Sequence, residues 1–420
     1  MKKIFMISIV SLLLVTLSII SPMNFTNAFQ EKDPLNLLVI DNNNRIDGNE
    51  ILKKIEQSRG KAIEGAENLE LDTTNRTEAK NAKDYDAVAF SVDDVDSKNA
   101  TQIQDLVDSE KIVYLYGKSI SVSKANEILG IELAPKLNEE ELRKQLVKKG
   151  ITDEAKQDKI VGKETSKNES YQVVGVFISQ GKKDVFLGDI QHDEKESDKE
   201  VFELDLPKYI DSIIRNINKN HLRSTSLFSI NKANAEEIVD SKTNRNSTLY
   251  VGSTVVANLN GDYYLKQEKN ESDPDVDYFA IDSKLELIEY NGADNQRLSI
   301  GSDLPFSCST CSDQIKDWDP RSGGGSSWSV SLPWSISWSF DTDASVAADV
   351  SGSTTYDYAD WYITKRWWQT KLVSPALFEP GTAWVSGGTY AGIDISSWGE
   401  VYYNSYDRRV TQDMDYRYSY

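Results

Sequence analysis

Residues 328 to 340 read Trp-Ser-Val-Ser-Leu-Pro-Trp-Ser-Ile-Ser-Trp-Ser-Phe, with every even position apolar and every odd position serine apart from Pro333. Alternate side chains of an extended chain point to opposite faces, so the run predicts one long strand with a dry aromatic face and a wet serine face. At 3.6 residues per turn a helix would spread the tryptophans around its whole cylinder. The run therefore sets the class of the C-terminal half as β, without identifying a reaction.

The chain opens Met1-Lys2-Lys3, continues through an apolar stretch from Ile4 to Ile20, and reaches small and polar residues ending at Ala28. A charged start, an apolar middle and a small residue before the cut predict a secretory signal peptide over 1–28 and an extracellular protein. An uncleaved anchor is the alternative. No later stretch approaches the ~20 apolar residues of a spanning helix, so no integral membrane span is expected after cleavage. Loss of Lys2 and Lys3 takes the net charge from −20 to −22. Such acidity excludes nucleic acid as a partner and suits a cation such as Ca²⁺. The only cysteines, Cys308 and Cys311, predict a local disulfide in an exported chain. A redox pair would want a strand-to-helix junction, and a zinc site two more ligands, whereas His192 and His221 lie far upstream.

Two halves of different character follow. Apolar runs at 35–41, 86–92 and 112–116 alternate with capped amphipathic stretches opened by Asp47, Asn99, Ser123 and Asn138. Strand, helix, strand, helix with short connections predicts a parallel sheet covered by helices. A hairpin (171–179 and 185–190) and a helix (206–217) complete an α/β domain over 29–222. Its layout resembles flavodoxin-like and amidotransferase-like domains in topology alone. Residues 223–246 are polar and read as a linker, and 247–420 as a Trp- and Tyr-rich β-sandwich. Asn260-Gly261 and Asn291-Gly292 stand at expected hairpin turns.

Chemistry is hard to place. Ligands of a parallel α/β sheet bind beyond the carboxyl ends of its strands, where Asp41, Asp93, Asp94 and Asp96 are candidate oxygen ligands for Ca²⁺. Turn-forming and helix-capping roles are the competing explanation for the same residues. Gly117-Lys118-Ser119 lacks the earlier glycine of a phosphate loop, and neither G-x-G-x-x-G nor G-x-S-x-G occurs where it would be needed. No nucleophile motif accompanies either histidine, so the chain reads as non-enzymatic. A carboxylate-only glycan hydrolase is the alternative, with Asp341, Asp343, Asp349, Asp357 and Asp360 as first candidates.

All nine tryptophans fall in the last third of the chain. The 328–340 stripe can be the core of a sandwich, a platform for sugar rings, or the wall of a membrane hairpin. Trp361, Trp367 and Trp368, beside Lys365 and Arg366, are the candidate ligand-binding group, for an extracellular glycan or other cell-surface component. The stripe is long enough to cross a bilayer, since ~9–11 residues suffice. Against that stand Pro333, which cannot donate to a ladder, and rings running through the middle of the stripe instead of forming two girdles. The expectation is thus a secreted binding protein, with a hydrolase and a membrane-active β-toxin as alternatives.

Overall fold

The computed structural model describes residues 35–420 apart from 42–46, 64–68, 75–81, 134–136, 167–168, 180–181, 194–201, 226–241, 269–274, 308–309, 320–327, 332–336, 341–346, 353–357 and 366–368. Four strands, β1 (Leu35–Ile40), β2 (Leu69–Thr74), β3 (Ala87–Ser91) and β4 (Ile112–Ser121), pair in parallel in the order β2-β1-β3-β4. The helices are α1 (Gly48–Arg59), α2 (Ser97–Asp108), α3 (Val122–Leu129), α4 (Glu139–Lys148), α5 (Glu154–Ser166) and α6 (Leu206–Thr225). Alternation along the strands divides two cores. Leu37, Val39 and Ala89 meet Ile51 and Ile55 of α1 and Ile210, Ile213 and Ile217 of α6. Leu38, Ile40 and Val88 meet Ile103 and Val107 of α2 and Ile128 of α3. Asp47 and Asn138 cap α1 and α4 as their positions predict, but α2 and α3 begin earlier than expected. Asp96 and Ser121 accept the capping bonds from Asn99 and Lys124 N–H.

The α/β reading fails beyond β4. Strands β5 (Ser170–Ser179) and β6 (Lys182–His192) form the expected hairpin and join β4 antiparallel. β7 (Lys242–Val251) then lies parallel to β6 and continues the same sheet. β8 (Thr254–Glu268) and β9 (Val276–Glu289) extend it antiparallel. The later strands are β10 (Asp294–Asp303), β11 (Gln314–Asp319), β12 (Trp328–Ser331), β13 (Ser337–Phe340), β14 (Ala347–Gly352), β15 (Tyr358–Thr364), β16 (Ala376–Phe378), β17 (Gly381–Gly387), β18 (Tyr390–Tyr403) and β19 (Tyr406–Ser419). The outcome is one mixed sheet of twelve strands, β11-β17-β9-β8-β7-β6-β5-β4-β3-β1-β2, with β16 paired to β9. A flavodoxin-like domain is therefore overturned: the parallel segment is one end of a mostly β assembly. The unpaired N–H and C=O groups along the outer edge of β6 would template another strand, and β7 takes them.

In the C-terminal half a five-stranded sheet, β14-β15-β10-β18-β19, faces the far part of the large sheet. Between them lie Leu259, Tyr263, Phe279, Ile281, Leu298, Ile300, Trp361, Trp384, Ile393 and Val410. Two turn expectations separate here. Asn291 and Gly292 both have positive φ (52° and 75°), and Ala293 N–H closes the predicted tight turn onto Tyr290 C=O. Asn260-Gly261 instead lies inside β8, and the chain reverses at Gly252, with φ 58°. Gly261 is required by close approach: a Cβ there would meet the Tyr263 hydroxyl at 2.6 Å.

Helices α4 and α5 pack against this C-terminal part through Leu142, Leu146, Ile160 and Val161 on Phe306, Cys311 and Tyr390. Lys149, just past α4, inserts a fully buried ammonium there. It donates to both Asp313 carboxylate oxygens (3.1 Å each), to Ser386 Oγ (2.7 Å) and to Gly387 C=O (2.8 Å). Asp313 also accepts from Gly387 N–H and Ser386 Oγ, so both charges are satisfied. Burial nonetheless pushes the Asp313 carboxyl above its ordinary range, against the pull of Lys149.

Asp313→Ala should cost about 3–5 kcal/mol in a denaturant melt, because the Lys149 charge is then stranded. The double variant Lys149→Met with Asp313→Leu should recover most of that loss; a double variant as unstable as Asp313→Ala would show that shape, not charge pairing, governs the site. The polar stretch read as a linker over 223–246, whose ends the structure places in α6 and β7, generates a second expectation for the residues between Thr225 and Lys242. Limited proteolysis should nick it first, yet the β6–β7 ladder should hold both fragments together in size-exclusion chromatography. Fragments that separate without denaturant would contradict the continuous sheet.

Candidate functional site

The serine–tryptophan run is not one strand. β12 and β13 pair antiparallel with each other in a separate two-stranded sheet, hydrogen-bonded to neither large sheet. Pro333, which has no N–H to give a ladder, falls in sequence between the two strands. The register sets Trp328 opposite Phe340 and Val330 opposite Trp338, with Ser329 opposite Ser339 and Ser331 opposite Ser337. Positions directly across an antiparallel pair belong to one sheet face. The period-two pattern of each arm is thus matched in phase: apolar positions share one face of the hairpin and serine positions the other. Downstream, β14 forms the edge of the five-stranded sheet through β15 alone, with Asp349 opposite Tyr362.

The other sequence-predicted residues separate. Trp361, on β15, is 1% exposed and belongs to the sandwich core, so its ring serves packing and offers no face to a sugar. Lys365 is tied by its ammonium to Gln296 Oε1 and Thr370 C=O. Arg366, Trp367 and Trp368 lie outside the described residues, as do Cys308, Asp341, Asp343 and Asp357. Cys311 is buried and is not a free thiol. Asp360 is exposed on β15, and partial burial of its carboxyl raises its pKa.

At the carboxyl edge of the parallel strands, Asp41 is buried beside Tyr116, whose hydroxyl donates to Ile40 C=O (3.1 Å). Burial, with Asp41 next in weight, pushes the Tyr116 phenol far up. Asp96 is spent as the α2 cap, and the Asp94 carbonyl accepts from the Asn99 amide. Among the described residues no three His, Cys, Asp or Glu side chains come together to hold a metal. His192 stacks on Phe202 with ring centroids 4.3 Å apart. Among the described residues no helix is long and apolar enough to cross a membrane.

One surface group escaped the sequence reading. On the outer face of the five-stranded sheet, Tyr362 (β15), Arg297 (β10), Trp398 (β18) and Arg409 (β19) adjoin on four successive strands. The exposed tyrosines of β15 were the available signal, since Tyr358, Asp360 and Tyr362 alternate with the buried Ala359, Trp361 and Ile363.

No protein-family model and no curated protein matches the chain. Among solved structures it is similar to Clostridium perfringens delta-toxin at 11% identity, covering 42% of this chain and 89% of that one, with a TM-score of 0.28. A pore forming protein follows at 8% identity, with 38% and 84% covered and a TM-score of 0.24. The Clostridium perfringens NetB toxin in its membrane-inserted form matches at 8% identity, with 42% and 93% covered and a TM-score of 0.19. Scores of this size define no common fold.

Proposed function

We propose that the protein is exported and acts on membranes, and that residues 328–350 carry the segment that enters the bilayer. The observation that supports this best is the β12–β13 register, which matches apolar to apolar and serine to serine in a sheet separate from both large sheets. Pro333, the main objection to a membrane strand, lies in sequence between β12 and β13; in a single strand over 328–340 it would withhold one ladder N–H, as a bulge does.

Length supports the same reading. The thirteen residues from Trp328 to Phe340 extend over about 43 Å as a strand, and at a tilt of about 45° they cross the ~30 Å hydrocarbon core. A second arm carries Ala344, Val346, Ala348 and Val350 at the same period, after the polar turn Asp341-Thr342-Asp343. Forming the long hairpin requires β12 and β13 to part and β14 to leave β15. Because β14 is an edge strand, its release breaks one ladder and leaves β15-β10-β18-β19 intact. A lone hairpin in lipid would leave its outer backbone groups unpaired, so several copies must combine their hairpins in a closed barrel.

The test is dye leakage from liposomes. Wild-type protein should release the dye. A Ser329→Cys, Ser339→Cys variant joins two positions that are register partners; oxidised, it should be silent, and reduced, it should leak, with wild-type protein under the same reductant as control. Wild-type protein that releases no dye at any protein-to-lipid ratio, or a locked variant that leaks like wild type, would overturn the proposal.

A further inference from the structure

Among the described residues, the outer face of the five-stranded sheet carries one arginine, Arg297, that makes no ion pair. Arg297 is half-buried, with its guanidinium 5.1 Å from the Tyr362 ring centre and 5.8 Å from that of Trp398. Among the described residues no carboxylate pairs with it. Glu400, directly opposite Arg297 in the β10–β18 register, is instead taken by Arg409 Nη2 at 3.3 Å. Arg409 in turn lies 3.9 Å over the other available ring, Trp398. Arg297 is thus held between two rings without an ion-pair partner among the described residues, while Glu400 is taken by Arg409 and the other acids of the face stand one row or more away. Tyr362 is 36% exposed and Tyr402, two residues beyond Glu400, is 44% exposed.

The arginines form the middle of the face. Arg297 and Arg409 share the row of Thr364 and Glu400; the row on one side holds Asp294, Tyr402 and Asp407, and on the other side come Tyr362, Ser299 and Trp398, then Asp360, Gly301, Ser396 and Asp413. An anion arriving here is thus directed to the arginine row, beside Tyr362, and away from the acids at both ends.

We propose that this face binds a cell-surface glycan ending in a carboxylated sugar, with the carboxylate on Arg297 and the sugar ring against the exposed Tyr362. A planar guanidinium matches a carboxylate in a bidentate fork, and aromatic faces accept the C–H face of a pyranose. The charge of the chain selects the ligand further. A protein of net charge −20 repels polyanionic surfaces, so acidic lipid or a sulfated polymer is disfavoured, while one unpaired guanidinium suits one carboxylate. Neighbouring strands lie ~4.8 Å apart, so the four strands offer a platform of about 14 Å, the length of two or three sugar rings.

Binding of sialyllactose and lactose to the full chain, measured by calorimetry, tests the assignment separately from the leakage proposal. Sialyllactose should bind at least about tenfold more tightly than lactose, the margin of a charge-assisted hydrogen bond. Arg297→Gln should reduce it to the lactose level, and Tyr362→Ala should weaken both sugars, with thermal melts showing both variants folded. On glycan-free liposomes Arg297→Gln should leak dye like wild type, because the hairpin lies outside this face. Equal affinity for the two sugars, binding of neither, or sialyllactose affinity unchanged in Arg297→Gln would overturn the proposal. So would loss of vesicle binding in Arg297→Gln on phosphatidylcholine alone, which would make the face a headgroup site.

Discussion

The parallel ladder between β6 and β7 holds the molecule together. It runs from Val185 opposite Thr243 to His192 opposite Tyr250 and converts two differently built halves into one sheet. Buried charge fastens the same seam. Arg245 of β7 reaches Asp189 of β6 at 2.7 Å and lies 4.6 Å over the Tyr171 ring of β5. Along α6 the i,i+4 series Asp211, Arg215, Lys219 engages Arg59 of α1, Tyr290 beside the β9–β10 turn, and Asp262 of β8. Removing one partner of such a pair strands a charge in a dry interior. These ion pairs act less as a source of stability than as a constraint on how the halves align.

A frame locked in this way leaves its freedom at the edges. The chain departs from β11, an outermost strand of the large sheet, and returns through β14, an outermost strand of the small one. β12, β13 and β14 can change pairing without breaking an interior ladder or the core that contains Trp361, Trp384 and Phe279. Edge strands are ordinarily a hazard because their free N–H and C=O groups invite other chains. Here the two edges border the segment with the strongest amphipathic period, which places the pairing hazard where pairing between copies would be useful.

Local signals were legible in the sequence, and long-range ones were not. Asp47, Asn138 and Asn291-Gly292 act through neighbours within three residues, so caps and turn could be read directly. Asn260-Gly261 carries the same local signal as Asn291-Gly292, but packing on Tyr263 and Gln412 overrides it and β8 runs through. Nothing local to residues 242–251 says that they will pair with β6, because parallel partners are set by which edge is free. The Trp-Ser period was visible, whereas its division into β12 and β13 depends on which of two pairings the folded chain prefers. The Arg297–Trp398 face was hidden for the same reason: its residues come from four strands and become neighbours only through the register.

The acidity of the chain connects the two surfaces. A protein of this charge gains nothing from the negative potential of an anionic membrane, which attracts basic segments and repels acidic ones. On the proposed membrane role, concentration at a cell surface would have to come from a specific contact, and several copies would have to gather before a hairpin could satisfy its backbone in lipid. The Arg297–Trp398 face can supply that contact without opposing the charge, because it presents one guanidinium and two rings instead of a basic field. It also lies on the sheet whose edge is β14, with Tyr362 paired in register to Asp349. On the two proposals above, a ligand seated on Tyr362 would touch the strand that β14 would leave, so attachment and hairpin release would meet at one ladder, β14–β15.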